Sequence, residues 1–205
     1  MKKIVLGLAL CLTAAAAHAS PSETVSLRNS EDGNYLVVGE FTAQAPILMA
    51  WEVLTDYAGL TRTVDSMVSS QVWEAEGGDK LVEQVARGGF AFFKKSVKVR
   101  LRVKEQFLRR IDFEDQPGGM FKVYRGSWVL EAAEGGVRVR YSLTANRGAL
   151  AAEGLERWAF RREAKSLLRQ LCAEVERRGK AMRIVQAEAS VSAPLAQLGG
   201  SHARN

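Results

Sequence analysis

The clearest pattern in the chain lies at residues 96–104, where Val97, Val99, Leu101 and Val103 alternate with Lys98, Arg100, Arg102 and Lys104. Successive side chains of a strand point to opposite faces, so this spacing predicts a strand with one apolar and one basic face. Residues 110–114 repeat the pattern, with Ile111 and Phe113 inward and Asp112 and Glu114 outward. Residues 137–144 do the same, with Arg138 and Arg140 outward. Strand composition also marks 34–42, 68–76, 80–87 and 121–131, and Gly77-Gly78-Asp79, Pro117-Gly118-Gly119 and Gly135-Gly136 supply the turns. The expectation is about seven antiparallel strands, six of them in meander order.

Two stretches carry a helical period instead. From about residue 152 to 183, Phe160, Ala164, Leu167, Leu168, Leu171, Val175 and Met182 fall on one stripe of a long amphipathic helix. Leu155 and Trp158 lie off that stripe, so the first turns should face something different. Earlier, Pro46 suits the first turn of a helix on which Ile47, Leu48, Trp51, Leu54 and Ala58 share a face. Gly59 is a plausible stop, and Leu60 to Val64 adds a second short turn.

Trp51-Glu52-Val53-Leu54-Thr55-Asp56-Tyr57, followed by Leu60, Met67 and Ser69-Ser70-Gln71-Val72, resembles the opening of the START-related (SRPBCC) superfamily. Within it the stretch is similar to the polyketide cyclase/dehydrase and lipid-transport family, including coenzyme Q-binding START-like proteins. The order of elements agrees over about residues 33–182. The resemblance implies an α+β helix-grip fold: an about seven-stranded curved antiparallel sheet, two short helices and one long C-terminal helix. Physics supports it, because a sheet with one apolar face curls around one amphipathic helix. One helix does not fill a strongly curved sheet, and a cavity between apolar walls is a natural small-molecule site.

Length and composition fit a single domain. Residues 1–19 read as a cleaved signal peptide: Lys2-Lys3, an apolar run from Ile4 to Ala17, and Ala17-His18-Ala19 before Ser20. The run is too short for a comfortable membrane span. Residues 20–32 read as a flexible leader, 33–184 as the START-like domain, and 185–205 as a disordered tail. The expected location is secreted, in the periplasm, with no transmembrane segment. Cleavage removes Lys2 and Lys3 and lowers the formal charge from +6 to +4. It also removes Cys11, so Cys172 has no partner for an intramolecular disulfide.

Candidate chemistry begins with an absence. His18 leaves with the signal and His202 lies in the tail, so 33–184 holds no histidine. Histidine triads and zinc clusters have nothing to build from, and neither a metal nor another cofactor is expected. An enzyme on this scaffold would have to use Tyr, Arg, Asp or Glu. The basic face of 96–104 could meet an anionic membrane or nucleic acid. In a meander, however, Glu83, Asp112 and Glu114 would lie across from it and cancel much of the field.

The candidate ligand-binding residues are Trp51, Tyr57, Phe90, Phe92, Phe93, Tyr124, Arg125, Trp128, Tyr141 and Trp158. The three phenylalanines follow Gly88-Gly89 and read as a gate or greasy wall, or as ordinary core. Tyr124, Arg125, Trp128 and Tyr141 sit where the resemblance implies a cavity floor. Tyr124 and Trp128 share a face and Arg125 takes the other, but Val123 and Val129 compete with Trp128 and Leu130 for the inward side. Trp158 reads as closing the cavity or capping the core edge. Cys172 reads as a small half-buried hydrophobe.

The function expected from these residues is non-catalytic binding or transport of a hydrophobic small molecule or lipid. Lipid-like and polyketide-like ligands, coenzyme Q-type rings among them, are what the resemblance implies. Transient membrane contact fits such a ligand; a nucleic-acid partner does not. The alternatives are an aromatase/cyclase-like enzyme, which needs inward polar groups, and a protein-interaction module whose cavity is filled.

Overall fold

The computed structural model describes residues 23–29, 33–87, 96–146 and 153–192. Its elements are β1 (Glu23–Asn29), β2 (Tyr35–Ala43), α1 (Ile47–Thr55), α2 (Leu60–Thr63), β3 (Met67–Glu74), β4 (Lys80–Arg87), β5 (Ser96–Gln106), β6 (Arg110–Asp115), β7 (Val123–Ala133), β8 (Gly136–Asn146) and α3 (Glu153–Ser192). The strands form one antiparallel sheet in the order β1-β2-β8-β7-β6-β5-β4-β3. Strands β3 to β8 are the predicted meander, and β2 docks beside β8. The α1–α2 pair carries the chain from β2 to the far edge strand, β3.

This is the predicted α+β helix-grip arrangement, with eight strands among the described residues. The extra strand is β1, which corrects the reading of 20–32 as a flexible leader. Every residue from Glu23 to Asn29 pairs with β2, and Val25 and Leu27 pack against the core. At the other end, α3 continues to Ser192, past the boundary set at 184. Residues 1–22, with the signal reading, lie outside the described residues. Helix α1 is also turned from its predicted face: Met49, Ala50, Trp51, Val53 and Leu54 are buried, while Leu48 and Ala58 are exposed. The cause is its position, wedged between α3 and the β7–β8 pair, which covers more than one stripe.

The concave face of the sheet is apolar. Val37, Phe41, Val99, Leu101, Val103, Ile111, Phe113, Val139, Tyr141 and Leu143 are buried there, facing Ala164, Leu168, Leu171, Cys172 and Val175 of α3. On the convex face the predicted cross-strand pairing holds. Glu83 meets Lys98 at 2.9 Å and Arg100 at 3.0 Å, Arg102 reaches Asp79 at 3.4 Å, and Arg140 lies 2.9 Å from Glu131. Arg102 and Lys104 stand in register with Glu114 and Asp112.

Helix α3 packs against β1, β2, α1 and α2, at one side of the sheet. Two glycines permit that closeness. A Cβ on Gly39 would sit 2.5 Å from Leu168 Cδ1, and one on Gly179 would sit 2.6 Å from Ala45 Cβ. Cys172 is buried in this seam, and desolvation pushes its thiol up to about 12. An ion network ties α3 to the end of α1: Arg178 lies 3.1 Å from Asp56 and 2.7 Å from Glu174, which also holds Arg177 at 2.7 Å.

Two outcomes follow from this seam. A hydrogen bond from Arg177, opposed by desolvation and reinforced by one from Arg178, brings the Glu174 carboxyl down from 4.5 to about 2. A depressed carboxyl stabilises the fold above its unfolded value and loses that contribution as pH falls through its folded value. Glu174→Gln should therefore lower the unfolding temperature at pH 7 by about 2–4 °C, the effect of roughly 1 kcal/mol in a chain of this size. The gap should close between pH 4.5 and about 2; a gap independent of pH in calorimetric scans would refute the assignment. Cys172 should react with a thiol reagent such as Ellman's only after denaturation.

Candidate functional site

Because α3 lies over β1 and β2, the concave face of β4 to β7 is not filled by it. A cavity of about 300 Å³ remains. Val82, Val97, Val99, Leu101 and Val103 of β4 and β5 form its wall, and Ile111, Phe113, Trp128, Tyr141 and Leu143 form its floor. Leu54, Tyr57, Leu60 and Val64 close one side, and Glu163, Ala164, Leu167 and Leu171 of α3 form the roof. The third alternative, a module with a filled interior, loses its premise.

The cavity has two unlike ends. Near Lys80, Val103 and Glu105, the Tyr57 hydroxyl donates to Glu105 Oε1 at 2.6 Å, and Lys80 Nζ lies 3.1 Å from the same oxygen. The ammonium is also 5.5 Å from the Tyr57 ring centroid. Burial first, then the Glu105 bond and charge, raise this phenol above its ordinary range. The turn after Asp56 is tight: the Gly59 N–H donates to Asp56 Oδ1 at 3.0 Å, and a Cβ on Gly59 would enter that carboxylate. Asp56-Tyr57-x-Gly59 therefore aims the tyrosine at the closed end. At the opposite end lie the exposed Arg87, the half-buried Glu163, and the β6–β7 turn with Phe121.

The floor is aromatic. Trp128 and Tyr141 lie 4.3 Å apart between centroids, Tyr141 and Phe113 are stacked at 6.3 Å, and Tyr124 sits 4.8 Å from Phe121. One glycine makes this possible. A Cβ on Gly126 would collide with the Ser142 carbonyl and come within 2.6 Å of Phe113 Cζ. Burial, with Asp115 nearby, pushes the Tyr124 phenol up to about 12, and burial, with Tyr124 beside it, raises the Tyr141 phenol well above its ordinary value. Among the described residues neither hydroxyl has a hydrogen-bond partner. Gln84, on the inward side of β4, also lines the cavity. Burial raises the Glu163 carboxyl, with Arg162 opposing. Among the described residues no three His, Cys, Asp or Glu side chains group as a metal site, and no helix is long and apolar enough to cross a membrane.

Of the predicted residues, the fold brings Tyr57, Tyr124, Trp128 and Tyr141 to the cavity. Trp51 does not line it. It is buried behind the closed end, edge-to-face with Phe107 at 5.5 Å. Arg125 is corrected: it is exposed on the convex face, in register with Glu114, because the bulkier even-numbered residues of β7 take the concave side. Trp158 is corrected too. It is 52% exposed and lies under Arg162, 5.1 Å from its ring centroid, rather than over the cavity. Phe90, Phe92 and Phe93 lie outside the described residues. Sequence reasoning missed Phe121, Gln84 and Glu163 as site residues. Gln84 carried a signal, being polar between Val82 and Ala86 on the inward parity of β4.

The comparisons fit this geometry. The family model for polyketide cyclase / dehydrase and lipid transport matches residues 44–172, and the chain belongs to that family. No curated protein matches the sequence. A protein from Thermus thermophilus is 26% identical over 72% of this chain and 98% of its own, with a TM-score of 0.58. The Zhui aromatase/cyclase from a Streptomyces species is 17% identical, covering 71% of this chain and 95% of its own, at a TM-score of 0.61. A STAR-related lipid transfer protein from Xanthomonas axonopodis is 14% identical, covering 74% and 98%, at 0.54. The last two share the START-like fold.

The closed end can be checked directly. Tyr57→Phe removes a hydrogen bond to a carboxylate and should cost about 1.5 kcal/mol in denaturant unfolding. A change within error would mean that Lys80 alone satisfies Glu105.

Proposed function

We propose that this protein binds a hydrophobic small molecule or lipid in the cavity under α3 and carries it without chemical change. The observation that carries the reading is the cavity itself: about 300 Å³, walled by aliphatic and aromatic carbon. That volume sits at the lower end of the usual range for small-molecule sites. Burying apolar ligand surface is worth ~25 cal/mol per Å². The hydroxyls of Tyr124 and Tyr141 offer donors to a carbonyl or ether oxygen and so set orientation. The family and its lipid-transfer relative support the ligand class. Transient contact with a membrane, where such ligands partition, belongs to the same reading.

The reading also places the protein outside the cytoplasm. Its support is Lys2-Lys3, the apolar run to Ala17 and Ala17-His18-Ala19. Protein recovered from the periplasm should begin at Ser20; an intact Met1 on the cellular protein would overturn export.

A second reading, an aromatase/cyclase-type enzyme, is favoured by the same two phenols and by Glu163, inward polar groups of the kind such chemistry needs. Organic extracts of the purified protein, read by mass spectrometry, separate the two. A carrier returns its ligand unchanged and an enzyme returns a cyclised product. Leu167→Trp, which fills the roof, should weaken an uncharged naphthylamine probe at least tenfold. Tyr124→Phe with Tyr141→Phe should leave that probe unaffected but weaken a carbonyl-bearing ligand about 2- to 10-fold per hydroxyl. Probe affinity untouched by Leu167→Trp would remove the cavity from the function.

A further inference from the structure

The first half of α3 is two-sided. Glu163, Ala164, Leu167 and Leu171 turn to the cavity. Trp158, Arg162, Lys165 and Arg169 recur at intervals of four, three and four, and all four are exposed, as is Arg161. That spacing puts them along one helix face. The charges there differ from those on the sheet. Several cations of the convex face meet carboxylates, Lys98 and Arg100 on Glu83 and Arg140 on Glu131, while Arg125 and Arg138 share only strand register with Glu114 and Glu131. Among the described residues, Arg161, Arg162, Lys165 and Arg169 have no ion-pair partner. Arg162 lies over the Trp158 ring instead.

We infer that this basic, tryptophan-bearing face of α3 docks the protein on an anionic lipid surface, with the cavity one helix diameter away. Charge selects an anionic partner. An exposed indole favours a lipid interface, where the ring sits at headgroup level while the long cationic stems lie along it. The same end of the molecule adds the exposed Met120 and Lys122 in the β6–β7 turn and Arg87 at the end of β4. Helix α3 is about 10 Å across, so a ligand leaving under its roof enters the headgroup layer without crossing bulk water. The inference deepens the carrier reading by naming the surface at which exchange occurs.

The test is flotation of the full chain with vesicles of pure phosphatidylcholine or of phosphatidylcholine with a third phosphatidylglycerol. Binding is expected only to the anionic vesicles and should disappear in high salt. Each cation near such a surface is worth roughly fivefold, so Arg162→Glu/Lys165→Glu/Arg169→Glu, which removes three and adds three anions, should weaken binding by at least about a hundredfold. Lys104→Glu/Arg125→Glu/Arg138→Glu changes net charge equally and should retain most of it. Equal losses in both triple variants, binding indifferent to lipid charge, or tighter binding to duplex DNA than to vesicles would each overturn the docking face. The salt and lipid dependence of the unaltered chain decides the matter if a variant misfolds. The naphthylamine probe is read separately, so vesicle binding can fail while the cavity binds, and the converse.

Discussion

The structure depends on where α3 touches the sheet. Gly39 on β2 lets Leu168 lie against the strand, and Gly179 lets the helix meet Ala45 where the chain enters α1. The helix is thereby seated over β1 and β2, at one side of an eight-stranded sheet. The strands on the other side still present an apolar concave face, and among the described residues α1, α2 and the flank of α3 lie over it. Close packing at one side and a void at the other have one cause. Most of the walls are carbon, so along them the void costs lost contacts rather than unsatisfied polar groups.

The polar groups at the cavity divide by whether they are satisfied. Tyr57 is bonded to Glu105 with Lys80 beside it, so that end is a structural lock holding the α1–α2 turn to β4 and β5. Tyr124 and Tyr141 are as deeply placed but are raised mainly by desolvation, without a partner among the described residues. Their oxygens are not among the sealed, unsatisfied polar atoms, so both hydroxyls are reachable from the cavity and open to an acceptor. The floor, rather than the closed end, therefore holds the uncommitted donors on which the proposed carrier reading relies. Under the proposed carrier reading, an oxygen acceptor on the ligand would use these two donors to fix its orientation.

Much of the scaffold was legible from alternation alone. The strict period of Val97 to Val103 and of Ile111 and Phe113 assigned both faces of β5 and β6, because one face is wholly apolar and the other wholly charged. In β7 the two parities carry similar apolar content, Val123 and Val129 against Trp128 and Leu130, so local pattern left the direction of Arg125 open. Pairing with β6 and β8 on both sides decided it. β1 was missed because seven residues with only Val25 and Leu27 apolar are too few for local propensity to decide; the β2 edge supplies the partner.

The sequence by itself determined the order of elements from β2 onward, the apolar and charged faces of the central strands, the long amphipathic helix and the tyrosine after Asp56. Those are local matters, written in periods of two and 3.6. Only the tertiary structure decided that α3 leans to one side, that Arg125 and Trp158 face solvent while Gln84 and Glu163 face the cavity, and that two phenols lack partners among the described residues. Each of these depends on distances between residues far apart in the chain, set by side-chain volume at a few close approaches and by strand pairing. Periodicity within one segment carries no information about either.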